Sequence, residues 1–158
     1  MKIGVISDTH GRFDRAVDKI FRGVDLIVHA GDIGKLEIVT QLESIAPVVA
    51  VEGNNDSFGE YPQERLEQIE GRTILIRHIF GELHQLKKKD LEYLRQQSPD
   101  VLIFGHSHKP YRANVESTLL FNPGSAGPRR FSLPRTVGLM TIDRSTITTR
   151  FVDLEKSQ

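Results

Sequence analysis

The chain has 158 residues, a length that fits one domain, so we expect residues 1–158 to form a single folded unit. It contains no cysteine, which excludes disulfides, thiolate metal ligands and a cysteine nucleophile. Lys and Arg total 21, as do Asp and Glu, and this zero net charge argues against dedicated nucleic-acid binding.

The first third of the chain alternates short strands with helices. A β-branched run at 2–7 predicts a buried strand, helical spacing of apolar residues follows over 12–22, and 25–30 predicts a second strand. A helix over 35–44 and a strand over 47–51 complete a βαβαβ order. This order implies a parallel sheet with right-handed crossovers.

The second half of the chain is richer in strands. Residues 64–69 and 73–77 predict a strand pair hinged at Gly71, and a helix over 87–97 leads into a strand over 100–104. Four short strands are predicted after it, over 111–115, 118–121, 136–142 and 146–152. We therefore expect an α/β fold in which two sheets pack face to face as a sandwich, with the helices outside.

Polar residues cluster where the predicted strands end. These segments are Asp8-Thr9-His10-Gly11, Gly31-Asp32, Gly53-Asn54-Asn55-Asp56, His78 and Gly105-His106-Ser107-His108. The carboxyl ends of strands form the binding crevice of open α/β sheets, so we expect these side chains at one edge. His29 lies within a strand and is interpreted as structural, and His84 as a solvated loop residue.

The residue types at these strand ends favour metal binding. Asp, His and Asn side chains suit Mn²⁺, Zn²⁺, Fe or Ni²⁺. Alternation in Asp8-x-His10 and His106-x-His108 would place both side chains of each pair on one side of an extended segment. The adjacent glycines would let the backbone turn tightly and come close to a bound ion. They are Gly11, Gly31, Gly53 and Gly105. Seven ligands exceed the need of one ion and suit two ions about 3.5–4 Å apart.

Each motif also has an ordinary structural interpretation when it is taken alone. Asp32 after a strand is typical of a helix N-cap, and Gly-Asn-Asn-Asp is common turn chemistry. His78 alone would be an unremarkable histidine at a strand end. The conjunction of all these motifs, each at the end of a strand, favours a metal centre.

Taken together, the motifs resemble those of the calcineurin-like metallophosphoesterases, specifically their small, lid-less bacterial and archaeal phosphodiesterase branch. The matching positions run from Asp8-x-His10 to Asn122-Pro123-Gly124-Ser125 and so cover nearly the whole chain. The resemblance implies a two-sheet β-sandwich flanked by helices. It also implies a metal-dependent hydrolase of phosphodiesters, with phosphomonoesters as the other substrate class, acting through a hydroxide that bridges two metal ions.

The resemblance further implies two divalent cations, with Mn²⁺ expected and Ni²⁺, Zn²⁺, Fe or Mg²⁺ as alternatives. One ion would be held by Asp8, His10, Asp32 and His108. The other would be held by Asp32, which bridges the two, and by Asn54, His78 and His106. Catalytic roles fall on Asp32, Asn54, Asn55, Asp56 and His106, with Asp56 expected to orient Asn54 or the histidine ligands.

The sequence departs from the family pattern at two places. Many members carry a histidine at the position of Asn55, which can donate a hydrogen bond but cannot act as a general acid. After His78 the branch usually has Gly-His, whereas this chain has bulky Ile79 and Phe80, which we expect at the rim of the site. Asn122-Pro123-Gly124-Ser125 is interpreted as a strand-ending turn. Beyond it, Arg129 or Arg130 would either clamp a phosphate or lie solvated.

Two other functions are compatible with the same residues. A retromer coat subunit shares the implied fold and acts as a protein-interaction scaffold, and retention of all seven ligands favours an enzyme over that reading. A nuclease or a cyclic-nucleotide phosphodiesterase is the second alternative. The expected partner is a small phosphoester substrate, and a homo-oligomer is left open. The N-terminus shows no signal peptide and no run suits a membrane span, so we expect a cytoplasmic protein without a membrane partner.

Overall fold

The computed structural model describes residues 1–57, 59–81 and 86–156, so that His84 lies outside the described residues. The first half contains β1 (Lys2–Ile6), α1 (Ala16–Ile20), β2 (Leu26–His29), α2 (Glu37–Glu43), β3 (Val48–Ala50), β4 (Glu64–Ile69) and β5 (Arg72–Arg77). The second half contains α3 (Lys88–Gln97), β6 (Val101–Ile103), β7 (Pro110–Val115), β8 (Thr118–Pro123), β9 (Thr136–Ile142) and β10 (Ile147–Asp153).

The strands form two sheets of five. The first has the order β10-β9-β1-β2-β3, and the second has the order β4-β5-β6-β8-β7. β1, β2 and β3 are parallel, as the βαβαβ order predicts, while β9 joins β1 antiparallel. In the second sheet β5, β6 and β8 are parallel. The predicted α/β fold with two mixed sheets and few helices is confirmed.

Alternation along the strands produces the layers. In β1, Ile3 and Val5 pack into the apolar layer between the two sheets, and Ile6 packs toward α1 and α2. Gly4 also faces the helices, where a Cβ would lie 2.9 Å from the ring of Phe21. A third apolar layer joins the second sheet to α3 through residues such as Leu94. The result is a helix–sheet–sheet–helix sandwich.

The first helix is shorter than predicted. It covers Ala16–Ile20 rather than 12–22, because the Asp14 carboxylate accepts a hydrogen bond of 2.9 Å from the Ala16 N–H and leaves the preceding residues in the loop after β1. The other elements begin and end within a few residues of their predicted bounds. Among the described helices, none has the length and apolar character that crossing a bilayer requires.

Candidate metal centre

The structure brings all seven predicted ligands to one edge of the sandwich. Asp8, Asp32 and Asn54 lie in the loops after the parallel strands β1, β2 and β3. His78 directly follows β5, and the histidine pair lies in the loop after β6. The Nδ1–H of His78 donates a hydrogen bond of 2.7 Å to the carbonyl of Ala30, which fixes the two sheets to each other at this edge.

A first group of donors consists of Asp8, His10 and His108, whose candidate ligand atoms all lie within 4.8 Å of one another. His108 Nε2 lies 3.1 Å from Asp8 Oδ1 and 3.3 Å from His10 Nε2. The two imidazoles are stacked, with ring centroids 5.2 Å apart. Two imidazole nitrogens and a carboxylate oxygen converging in this way form a suitable donor set for one divalent cation.

A second group consists of Asp8, Asp32 and His78, again within 4.8 Å of one another. His78 Nε2 lies 3.4 Å from Asp32 Oδ2 and 3.9 Å from Asp8 Oδ1. Asp32 Oδ2 also lies 3.8 Å from His10 Nε2, so the Asp32 carboxylate stands between the two groups.

Asn54 and His106 form the exposed side of the centre. Asn54 Oδ1 and His106 Nδ1 are 2.9 Å apart, and the His106 ring meets the His78 ring edge-on at 5.4 Å. Both side chains are exposed, whereas Asp8, Asp32 and His78 are buried. An exposed pair beside buried carboxylates leaves one face of the centre open to an incoming ligand.

The buried donors fit divalent cations. Within the described residues, three buried side-chain atoms lack a hydrogen-bond partner, and all belong to this cluster: Asp8 Oδ1, His78 Nε2 and His108 Nδ1. Native proteins rarely leave buried polar atoms unpaired. Because His78 Nδ1 carries the proton that it donates to Ala30, Nε2 presents its lone pair toward both carboxylates. A cation would satisfy Asp8 Oδ1 and His78 Nε2 together.

The backbone around the donors is left-handed, so the predicted extended conformation is wrong. φ is 55° at Asp8 and 47° at His10, and it is 68° and 58° at His106 and His108. With Asp32 at 53°, five of the nine described non-glycine residues with positive φ are candidate ligands. Such conformations are unfavourable and concentrate at functional sites. Asp8 and His10 converge on one donor group, whereas His106 and His108 lie on different sides of the centre.

Two of the motif glycines are required for space. A Cβ on Gly53 would lie 2.2 Å from Asp32 Oδ1, and a Cβ on Gly105 would lie 2.0 Å from Ser7 Oγ and 2.8 Å from Asp8 Oδ2. Any side chain at either position would displace a buried carboxylate. The glycines therefore allow the loops after β3 and β6 to approach the acidic residues.

The Asp8 carboxylate is held so that one oxygen remains available. Its Oδ2 accepts hydrogen bonds from Ser7 Oγ at 2.7 Å and from the His106 N–H at 3.1 Å, and its Oδ1 accepts none within the described residues. The Asp8 backbone carbonyl accepts from Ser125 Oγ and the Gly127 N–H. Ser7 and Ser125 were not among the predicted site residues.

Asn122-Pro123-Gly124-Ser125 does more than end a strand. Asn122 Nδ2 donates to the Gly105 carbonyl at 2.7 Å, and Asn122 Oδ1 accepts from the Gly124 N–H at 2.9 Å. The segment thus connects the loop after β6 to the loop after β1. Beyond it, the buried Arg135 donates to the carbonyls of Ala126 and Gly127.

Asn55 and Asp56 fix the Asp32 loop. Asn55 donates to both oxygens of Asp32, from its backbone N–H at 2.9 Å and from Nδ2 at 2.6 Å. The partners of Asp56 differ from those predicted. Rather than the side chain of Asn54 or a histidine, its carboxylate accepts the backbone N–H groups of Ile33, Gly34 and Gly53. Asp56 therefore orients two loops and not an individual ligand.

The charges in the centre shift the pKa values of its members in opposite directions. Burial alone would raise the pKa of Asp32, but the neighbouring His78 imidazole and the hydrogen bonds from Asn55 hold it well below its ordinary value. Burial would lower the pKa of His78, but Asp32 and Asp8 outweigh it and raise the pKa. Burial lowers the pKa of His10. The raised pKa of His78 means that a proton would compete with a metal ion for its Nε2.

Of the two bulky residues predicted at the rim of the centre, Ile79 and Phe80, one lies elsewhere. Phe80 is 5% exposed and packs under α3, so only Ile79, at 44% exposed, lies at the rim. A cavity of 170 Å³ there is lined by Asn54, Gln63, Arg77, His78 and Ile79. On the opposite side, Arg130 Nη2 lies 3.4 Å from His10 Nε2.

His29 has the structural role that the sequence predicts. Its Nδ1 accepts the Gly31 N–H at 3.2 Å, so Nε2 carries the proton and donates to Thr9 Oγ1 at 2.9 Å. Thr9 in turn donates to the Ile33 carbonyl. Burial lowers the pKa of His29 to about 4, so the ring is neutral in the folded protein at pH 7. It connects the loops that carry the first two aspartates.

Known proteins similar to this chain include metallophosphoesterases and proteins of the same fold. A probable metallophosphoesterase of Methanothermobacter thermautotrophicus is 41% identical over 154 residues, covering 90% of this chain and 87% of that protein. A phosphodiesterase of Methanocaldococcus jannaschii is 30% identical over 158 residues, covering 91% and 95%. Vps29 of Entamoeba histolytica in complex with Zn²⁺ shares the fold, with a TM-score of 0.77, 23% identity and coverage of 98% and 99%.

The fold and the site define a two-sheet α/β protein with a cluster of metal-binding residues at the strand ends. The family described as the calcineurin-like phosphoesterase superfamily domain matches residues 1–145. The chain belongs to this superfamily.

The neutral His29 makes folding depend on pH, and we expect His29→Gln to weaken that dependence. The folded pKa of about 4 lies below the ordinary 6.5, so the unfolded state binds the proton first as pH falls. Stability from this group is present above 6.5 and is lost between 6.5 and 4. Glutamine cannot titrate there but can still donate to Thr9. Urea unfolding with chelator at pH 7 and at pH 4 should show wild type losing about 3 kcal/mol more than the variant between the two. Parallel curves would contradict the assignment.

Proposed function

We propose that this protein is a metal-dependent phosphoesterase that hydrolyses phosphodiester bonds. The observation that carries the proposal is the pair of buried atoms without hydrogen-bond partners, Asp8 Oδ1 and His78 Nε2, which lie 3.9 Å apart beside the Asp32 carboxylate. Membership of the phosphoesterase superfamily supports the reaction class. The relative from Methanocaldococcus jannaschii, a phosphodiesterase, supports the diester over the monoester.

In this proposal the centre would hold two divalent cations. Asp8, His10 and His108 would hold one together with Asp32, and His78, Asn54 and His106 would hold the other, also with Asp32. The placement of Asp32 Oδ2 between His10 and His78 supports its role as the bridge. The short Asp8–His78 distance also allows Asp8 to contribute to both sites. Mn²⁺ is the proposed metal, since carboxylate and imidazole donors suit it. The chain has no cysteine, so it offers no thiolate ligand of the kind that softer ions prefer.

Cations bound here would supply a water-derived nucleophile at neutral pH and neutralise charge on the phosphoryl oxygens. The chain's own residues complete the site around them. Asn55 fixes the orientation of the Asp32 carboxylate through two hydrogen bonds. The exposed Asn54–His106 pair faces the open side, where the phosphoryl group would enter.

The site offers the leaving group little help from a general acid. The histidines in the described part of the chain are His10, His29, His78, His106 and His108, of which four are proposed ligands and His29 is buried within β2. The Asn55 amide is engaged with Asp32 and has no acidic proton. Good leaving groups are therefore favoured over poor ones.

A protein-interaction scaffold is the competing function. The structural similarity to Vps29 proteins, at 23% identity for the zinc complex, supports a common fold and carries no activity. The buried unpaired donors favour a metal-binding protein, and the metallophosphoesterase and phosphodiesterase relatives favour the enzyme.

Loss of the bridging carboxylate should abolish hydrolysis without unfolding the protein. We expect Asp32→Asn to lower the Mn²⁺-dependent rate on a bis-aryl phosphodiester at least about a hundredfold, since both sites lose a ligand. Asparagine tolerates the left-handed φ of 53° at this position, whereas alanine would add strain. Circular dichroism checks the fold, and Asp18→Asn on the exposed side of α1 is the matched control. Wild-type turnover in Asp32→Asn would exclude the bridging role.

With no histidine among the described residues free to act as a general acid, hydrolysis should depend strongly on the leaving group. We expect activated aryl diesters to be hydrolysed and dialkyl diesters to react far more slowly, because an alkoxide needs a proton to depart and an activated phenolate does not. A series of aryl methyl phosphodiesters of graded phenol pKa would show rates falling steeply as that pKa rises. A flat series, with chemistry shown to be rate-limiting, would mean that a proton donor is present.

A further inference from the structure

A loop of residues 128–134 stands over the first donor group and is anchored at both ends. Before it, the Gly127 N–H donates to the Asp8 carbonyl at 3.1 Å. After it, Arg135 is buried, lies 2.8 Å from the Asp14 carboxylate and donates to the Gly127 carbonyl at 2.7 Å. The loop is therefore held at the rim of the metal centre by contacts to the loop after β1.

The tip of this loop carries a phenylalanine whose exposed position contributes nothing to the stability of the fold. The Leu133 N–H donates to the Arg130 carbonyl at 3.1 Å and closes a turn that contains Phe131. Phe131 has φ of 52°, which is unfavourable for a residue with a Cβ, and its side chain is 95% exposed. An aromatic ring in this position gains no burial and strains the backbone. Strain of this kind points to a function rather than to stability.

The two arginines of the loop have different surroundings. Arg129 Nη1 lies 3.6 Å from Glu155 Oε2, which turns it away from the centre. Arg130 Nη2 lies 3.4 Å from His10 Nε2, and no carboxylate of the described residues lies within ion-pair distance of its guanidinium. A cation without an acidic partner beside the donor groups can accept an anionic oxygen.

We infer that Arg130 and Phe131 recognise phosphoesters that carry a planar aromatic group. Arg130 binds a non-bridging phosphate oxygen above His10, and Phe131 stacks on the ring. Phe131 directly follows Arg130 in the loop, so the exposed ring and the guanidinium beside His10 are carried by adjacent residues. Aromatic rings and nucleobases both present a face on which phenylalanine stacks. This inference rests on the proposed function and names its substrate class.

The test uses phosphonates, because their C–P bond is not a phosphoester and binding can be measured without turnover. Phenylphosphonate and methylphosphonate differ in the ring alone. Calorimetric titration of the Mn²⁺-loaded protein should show phenylphosphonate binding at least about fivefold more tightly. Phe131→Gly should bring the two affinities together and leave Tm equal to or above that of wild type, since glycine suits this φ. Phe131→Tyr should keep the preference.

The arginine is tested by a different pattern. Arg130→Gln should weaken both phosphonates by a similar factor, about tenfold, and leave the ratio between them unchanged. Arg129→Gln is the matched control, because it removes the same charge from the neighbouring residue, and it should leave both affinities unchanged. Equal effects of the two substitutions would overturn the role of Arg130.

A second pair of probes distinguishes whether the recognised ring is a nucleobase or a simple aryl group. Adenosine 5′-phosphate and ribose 5-phosphate differ in the nucleobase. A preference for the nucleotide that Phe131→Gly removes supports a nucleotide substrate, and a preference confined to phenylphosphonate supports a simple aryl ester. Equal binding within both pairs, or a preference that Phe131→Gly retains, would overturn the inference. If the protein hydrolyses no diester but still prefers the ligand with the ring, and this preference depends on Phe131, the proposed phosphodiesterase function fails. The inferred recognition of an aromatic group then stands on its own.

Discussion

Two buried carboxylates, Asp8 and Asp32, impose the constraint on which the rest of this structure depends. Among the described basic side chains, only histidines lie within 4.0 Å of either carboxylate, and no Lys or Arg does. Burying a carboxylate without a charged partner is costly, so a divalent cation bound between these groups would stabilise the fold. The raised pKa of His78 and the lowered pKa of Asp32 have a related cause, since the positively charged form of the histidine and the negatively charged form of the carboxylate stabilise each other.

The fold meets this constraint by bringing several backbone loops together around the two carboxylates. Parallel strands bring the first two aspartates to one edge, and the cross-sheet hydrogen bond from His78 to Ala30 brings the second sheet to them. Gly53 and Gly105 then allow two further loops to approach within contact of the carboxylates. Residues outside the donor set, Asn122 among them, fix those loops by hydrogen bonds to the backbone. The site is rigid on its buried side and open on the side of the Asn54–His106 pair.

Much of this organisation could be predicted from the sequence. Strand positions follow from local periodicity, and polar residues at the ends of parallel strands necessarily share an edge, which is why the seven donors were found together. The reason given for their convergence was wrong, because φ at Asp8 and His10 is a property of the turn and not of alternation. The partners of Asp56 could not be predicted, since they are backbone groups of loops brought near only by folding. Burial of Phe80 depended likewise on where α3 packs.

The central claim, that Asp32 joins two metal sites, is tested most directly by metal stoichiometry. The protein would be stripped with chelator, titrated with Mn²⁺ and measured by metal analysis and electron paramagnetic resonance. The account predicts two Mn²⁺ per chain whose spins are coupled, as expected for ions about 3.5–4 Å apart, and loss of the coupling in Asp32→Asn. A single ion per chain at saturation, or two uncoupled ions unaffected by the substitution, would contradict it.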